Sequence, residues 1–301
     1  SMAVCRAGAS SRNIPLYKYI AQLSGNKKFI LPSPMFNLIE GGKHAKNYIA
    51  IQEFLITPFY KTFKKSFEIG KETYHALEKL IKKKYAYSIG YEGGFSPNLS
   101  NSEEALNLLK KTIGNKKVRI AIDAAASQFY KEDYYDLDIK SPNNIGKMRK
   151  TSEELIEFYK SLIKKYDIFS IEDPFDQDDS KSFQKFTKGI GKRVQIVGDD
   201  LTVTNPKKIQ EAIKNRLCNA MILKINQIGT ITESIGAYKL ARKAKWKIIV
   251  SHRGEETMDD FIADLAVGLG AEFIKSGAPF PIERMAKYNR LVEIENELSL
   301  N

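Results

Sequence analysis

From about residue 115 onward, short apolar runs alternate with longer amphipathic segments, and each of the later runs carries an ionisable residue at or near its C-terminal end. That alternation restricts the chain to repeated β-α units building a parallel sheet or a barrel. The runs are VRIAID (118–123), IFSIED (168–173), VQIVGD (194–199), AMILKI (220–225), KIIVSH (247–252) and EFIKSG (272–277). Helix start signals lie between them. Thr151 and Glu154 have capping-box spacing ahead of Leu155, Phe158, Tyr159 and Leu162, which share one face. Asn205-Pro206 supplies an N-cap and then a proline at the first helical position.

The preceding region reads differently. Two strand-like runs, 31–42 and 48–59, are followed by helical stretches near 60–83 and 102–113, giving a ββαα opening. Adding two strands to the six later ones makes eight, and the length suits the roughly 250 residues typical of a β/α barrel. An open doubly wound sheet ranks below the barrel, because no glycine-rich phosphate fingerprint follows the first strand. Residues 1–25 read as helical and belong to neither pattern.

The strand ends carry the chemistry. Asp123, Glu172, Asp199, Lys224, His252 and Lys275 each follow an apolar run, and in a β/α barrel those ends converge on the one face where active sites are built. A lone carboxylate there is more often a solvated or helix-capping group than a ligand. Three on consecutive strands form an oxygen-rich set suited to Mg²⁺, which prefers oxygen ligands in an octahedron. With two cysteines and three histidines in the whole chain, a zinc-type site is disfavoured. Two lysines and a histidine complete the set and suit an anionic substrate. A lysine serves as a base near neutral pH only where cations or desolvation depress its pKa from about 10.4. Proton abstraction beside a carboxylate, assisted by a metal, is the chemistry these residues suggest.

Composition narrows the partners. The net charge of +12 comes from lysines scattered over helix surfaces, without an arginine-rich tract interleaved with aromatics, so nucleic acid is not expected as a partner. No stretch of about 18 apolar residues spans a bilayer, and Cys5 and Cys218 form neither a metal motif nor a disulfide framework. A cytoplasmic protein that does not bind membranes is expected.

The strings GGKHAKNYIAIQEF, YEGGFSPN, YDLDIKSP, SIEDPFDQDD, VGDDLTVTNP, LKINQIGT, VSHRGEET and IKSGAP, in this order, resemble enolase motifs along nearly the entire chain. The resemblance implies an α/β fold, a β/α barrel in ββαα(βα)₆ order over residues 28–301. It implies that residues 1–27 correspond only to the last helix and linker of the family's N-terminal capping domain, the rest of which is absent here. It further implies a Mg²⁺-dependent lyase that dehydrates 2-phosphoglycerate to phosphoenolpyruvate in glycolysis and gluconeogenesis, a homodimer when full length. Asp123, Glu172 and Asp199 would be the metal ligands. Lys224 would remove the C2 proton, Glu92 would assist departure of the C3 hydroxyl, and Glu53 would be its partner. His44, Gln52, His252, Arg253 and Lys275 would bind substrate, with Arg253 on the phosphate and Lys275 on the carboxylate.

Each assignment has a plainer rival. By periodicity alone Glu53 and Gln52 read as surface residues on an edge strand, and Glu92, before Gly93-Gly94, as an ordinary turn residue. His252-Arg253 could cap a helix or pair with Glu255, and His75 reads as structural. The sequence also departs from the family pattern. Glu40 and Lys43 stand where the Asn-Gly-Gly-Ser-His pattern has asparagine and serine, and Tyr91 stands in place of aspartate before Glu92. Gly254 and Glu255 occur where serine and glycine follow the His-Arg pair. These departures leave open a second reading, a divergent enolase-like protein, weakly active or inactive, with a binding or structural role.

Overall fold

The computed structural model describes residues 1–300. Eight strands of its ten-stranded main sheet close into a barrel: β1 (Ser33–Glu40), β2 (Glu53–Pro58), β3 (Val118–Asp123), β4 (Ile168–Glu172), β5 (Gln195–Gly198), β6 (Ala220–Leu223), β7 (Lys247–Ser251) and β8 (Phe273–Lys275). β8 closes onto β1 in parallel, with Met35 beside Lys275. β2 runs antiparallel to both neighbours. Its first residue therefore sits where the other strands finish, and Glu53 lies opposite both Glu40 and Asp123.

Among the described residues eleven α-helices accompany the barrel: α1 (Met2–Ser11), α2 (Leu16–Ser24), α3 (Phe63–Lys82), α4 (Ser102–Ile113), α5 (Ser152–Tyr166), α6 (Ser180–Ile190), α7 (Pro206–Asn215), the single turn α8 (Ile225–Ile228), α9 (Ile231–Lys243), α10 (Phe261–Leu269) and α11 (Ile282–Ser299). The expected caps form. Thr151 and Glu154 make a reciprocal capping box at α5, and the Asn205 side chain accepts from the Lys207 amide at α7. Among the described residues no helix is long and apolar enough to cross a membrane.

Two apolar clusters divide the core. The larger fills the layer between strands and helices, and the smaller consists of Met35, Leu55, Ala121, Phe169, Val197, Ala220, Ile222, Ile249 and Phe273. Strand side chains alternate faces with a period of two, so the residue two along from a member of the smaller cluster shares its face. This rule links Leu55 to Glu53, Ala121 to Asp123, Val197 to Asp199, Ile222 to Lys224 and Phe273 to Lys275. The barrel is thus plugged with apolar groups and topped by an ionic layer. On β4 the register slips beside Ile120/Ala121, which pair with Ile168 and Ser170, so that Glu172 comes opposite Asp123.

Two additions were not anticipated from sequence. A hairpin of Tyr87–Ile89 and Phe95–Pro97 extends β1 through Phe95 beside Ile39, and a small three-stranded sheet occupies parts of 130–150. Their strands are two or three residues long, too short for a period to show. The helical opening is two helices rather than one, broken ahead of Pro15.

α2 docks on α10. The amide of Tyr17, in the first turn of α2, donates to the buried Asp264 carboxylate at 3.1 Å, and Arg290 grips both oxygens of the same carboxylate. Gly268 permits the close approach. A methyl group there would fall 2.7 Å from Ile20 Cβ and 2.8 Å from the Tyr17 carbonyl oxygen. Gly268→Ala should therefore push α2 outward and destabilise the protein by about 1–3 kcal/mol, despite the roughly 1 kcal/mol gained in helix propensity. Urea unfolding should show a lower midpoint at unchanged slope.

Candidate active site at the barrel mouth

Lys275 is the hub of the ionic layer. Its Nζ lies 3.0 Å from Glu53 Oε2, 3.1 Å from Asp123 Oδ2 and 3.0 Å from Glu172 Oε2. Burial disfavours the ammonium, yet Asp123, Glu172, Glu53 and Glu92 together hold its pKa well above the ordinary lysine value. Two neighbouring carboxyl groups shift upward as well, which for an acid favours the neutral form. Burial raises Glu172 and Glu53 well above the usual range, with repulsion from Asp123 and Glu92 respectively adding to it.

Lys224 and Asp199 form a second centre. The Lys224 ammonium donates to Asp199 Oδ2, and Gln227 Nε2 donates to Oδ1 at 3.2 Å. Burial works against the charge on Lys224, but Asp199 and Glu172 keep its pKa raised. Burial likewise opposes the charge on Asp199, which Lys224 nevertheless holds below the ordinary value. Asp173, not singled out from sequence although it follows Glu172 directly, accepts the backbone amides of Asp199 at 3.0 Å and Asp200 at 2.7 Å. Asp173, Asp199 and Asp200 place ligand-type oxygens within 4.8 Å of one another.

The opposite wall comes from the hairpin and the histidine loop. Glu92 sits in the turn between the hairpin strands and is buried. Its Oε2 lies 3.2 Å from His252 Nε2 and accepts from Asn37 Nδ2 at 3.2 Å. Burial opposes its charge, but His252, Lys275 and His44 hold its pKa below the usual carboxylate range. His44 Nδ1 lies 3.4 Å from Glu53 and 3.8 Å from Glu92, which makes these three a compact group. Burial lowers the pKa of both histidines, favouring neutral imidazoles near pH 7.

Several plainer readings are overturned. Glu53 and Gln52 are 1% and 8% exposed, because β2 is an interior barrel strand whose first residue points into the mouth. Gln52 Nε2 donates to Asp123 Oδ2 at 3.4 Å. Glu92 is a turn residue, but a buried one within the site. His252 pairs with Glu92 rather than capping a helix, while Arg253 is exposed and its amide donates to Glu256 at 3.0 Å. His75 lies on the surface of α3, 3.8 Å from Glu78 and away from the mouth.

Arg284, on α11, was missed by sequence reasoning. It is 2% exposed and donates to the carbonyls of Arg253 at 2.7 Å, Tyr91 at 3.3 Å and Gly254. One of its Nη atoms also meets His252 Nδ1. A guanidinium only donates, so Nδ1 accepts, the ring proton sits on Nε2, and it faces Glu92. Lys140 is a second omission, donating to the Ala45 and Gly42 carbonyls beneath the histidine loop, with burial pulling its pKa down to about 8. Both belong to segments whose helical or loop character carries no catalytic signature.

Three departures from the family pattern meet in space. The Tyr91 hydroxyl donates to Glu255 at 2.7 Å, and the Tyr91 ring packs over Gly254, where a Cβ would come within 3.2 Å of it. Glycine leaves room for the ring, and Glu255 takes up its hydroxyl. Tyr91 also stacks on His44 at 6.3 Å between ring centres.

A family model described as "Enolase, C-terminal TIM barrel domain" matches residues 28–301. An enolase of Solanum lycopersicum is 53% identical over 307 aligned positions, covering 99% of this chain and 69% of the relative. An enolase 2 of Hevea brasiliensis is 52% identical with the same coverage. Together with the closed barrel and its ionic mouth, these matches show that the chain belongs to the enolase family and contains its C-terminal TIM barrel domain.

Proposed function

We propose that the chain is a lyase that dehydrates 2-phosphoglycerate to phosphoenolpyruvate, using a divalent cation, Mg²⁺, held by Asp123, Glu172 and Asp199. The observation that carries this reading is the placement of two lysines against buried carboxylates at one mouth, with the Glu53–His44–Glu92 group on the facing wall. The donor set fits a hard cation. All three offer carboxylate oxygens and are buried, and Glu172 is pushed upward by burial and by repulsion from Asp123 and Asp199, a repulsion that positive charge relieves. Bound magnesium would stabilise negative charge developing on the substrate carboxylate and draw on the Asp199 charge that otherwise favours protonated Lys224.

The chain's own groups divide the work. Lys224, at the end of β6, takes the C2 proton, for which it must be neutral when substrate is in place. Lys275, fixed by its carboxylate partners, meets the substrate carboxylate. The Glu53–His44–Glu92 group carries the proton that leaves with the C3 hydroxyl. Environments that push neighbouring carboxyl groups apart, Glu53 upward and Glu92 downward, suit a proton passed within such a group. Gln52 and His252 orient Asp123 and Glu92, and Arg253 at the exposed rim offers a fork of donors to phosphate.

Roles at C2 and C3 should separate by mutation. Proton NMR of 2-phosphoglycerate in D₂O, with magnesium and full-length protein, should show that Lys224→Ala loses both C2 exchange and dehydration by about 10²-fold or more. Glu92→Gln should lose dehydration but keep exchange. The reverse pattern would exchange the two assignments. Calorimetry should show Mg²⁺ binding weakened at least about tenfold in Asp199→Ala, since a charge and a coordination position are lost together.

A further inference from the structure

Glu40, the last residue of β1, lies outside the roles assigned so far and is 0% exposed. Its Oε1 accepts the backbone amides of Glu92 at 3.1 Å and Gly94 at 2.7 Å, and its Oε2 lies 3.2 Å from the Glu92 amide. The turn is moulded around this carboxyl group. A Cβ at Gly90 would fall 2.4 Å from Oε2, and one at Gly94 would fall 2.9 Å from Oε1, so neither position has room for a side chain. Glu40 is itself fixed, because Asn47 Nδ2 donates to its carbonyl at 2.7 Å. Burial and the nearby Glu92 push its pKa up to about 8, against the amides that pull it down. The protein keeps a carboxyl group in a place that resists its charge, with the turn's amides directed at it.

We propose that Glu40 is a positioning residue for the hydroxyl-expelling step: its side chain templates the Tyr91–Gly94 turn and so holds Glu92 in register with the mouth. The asparagine of the family pattern is shorter by one methylene and offers one acceptor oxygen, so this chain has its own way of holding the turn. The proposal rests on the reading of Glu92 given above. It differs in what it predicts for the backbone, which can be measured without turnover.

The test uses full-length protein and compares the parent with Glu40→Ala and Glu40→Gln. Hydrogen–deuterium exchange read by mass spectrometry should show the peptide spanning 90–94 exchanging at least about tenfold faster in Glu40→Ala, with peptides of β3 and β4 unchanged. With magnesium and 2-phosphoglycerate, dehydration should fall about 10²-fold while exchange of the C2 proton and KM stay within about threefold, as expected when a catalytic group is misplaced by about an ångström. Glu40→Gln keeps one acceptor oxygen and should recover part of both effects; it also carries the test if the alanine variant does not fold. Unaltered exchange in the 90–94 peptide would overturn the proposal. So would a parallel loss of C2 exchange and dehydration with faster exchange throughout the barrel, which marks general destabilisation. If the turn loosens as expected but Glu92→Gln fails to separate the two reactions, the role of Glu92 fails while Glu40 remains the anchor of the turn.

Discussion

Everything at the barrel mouth depends on one electrostatic compromise: more carboxylates are buried there than could be ionised together without cations among them. Glu53, Asp123, Glu172 and Asp199 are each at most 7% exposed, and Lys275 and Lys224 are the ammonium groups set between them. Removing a charge from water costs several kcal/mol unless partners compensate. Each member is therefore conditional on the others. The apolar plug below strengthens the coupling, since Leu55, Ala121, Val197, Ile222 and Phe273 keep water from screening the charges from beneath.

Much of this was legible in the sequence, for a definable reason. A period-two strand that is apolar inside and ionic at its end writes barrel interior and mouth into adjacent positions, as in Ala121/Asp123 and Ile222/Lys224. The strand runs carrying Asp123, Glu172, Asp199, Lys224 and Lys275 were visible because nothing but alternation and length was needed. Glu53 was not readable in this way. Strand direction is set by which neighbour completes the sheet, and β2 enters antiparallel, bringing its first residue to the mouth where a parallel strand would bring its last. Arg284 lies in none of the motif strings, and Lys140 lies in YDLDIKSP without being read as a site residue, for a different reason. Their work is to satisfy backbone carbonyls brought together from distant segments, and no local pattern encodes such a convergence.

The departures from the family pattern divide along the same line. Read singly, Tyr91, Gly254 and Glu255 are three separate departures from the family pattern. In space they are one rearrangement, a ring laid over a glycine with its hydroxyl bound to the adjacent carboxylate. Such a change costs little because its parts are at the rim, where water supports a displaced charge. Tyr91 is 56% exposed, whereas Glu40, another departure from the same pattern, is fully buried and answered by backbone amides.

This contrast sets how a mouth of this kind can change. Losing Lys275 alone would leave three carboxylates buried without the ammonium they share, and losing one of the three would take away one of the acceptors that keep that buried ammonium charged. The inner layer is therefore tied to folding as well as to chemistry, and its ionic residues would resist neutralisation one at a time even in a chain whose catalysis had weakened. Their presence alone is a weaker argument for activity than the placement of groups that folding does not demand. His44 is such a group, a half-buried imidazole brought within reach of both Glu53 and Glu92 on a loop that Lys140 holds from beneath. Holding an imidazole between two carboxyl groups whose proton affinities are pushed in opposite directions is not demanded by packing, and it is an arrangement that a proton relay to a leaving hydroxyl could use.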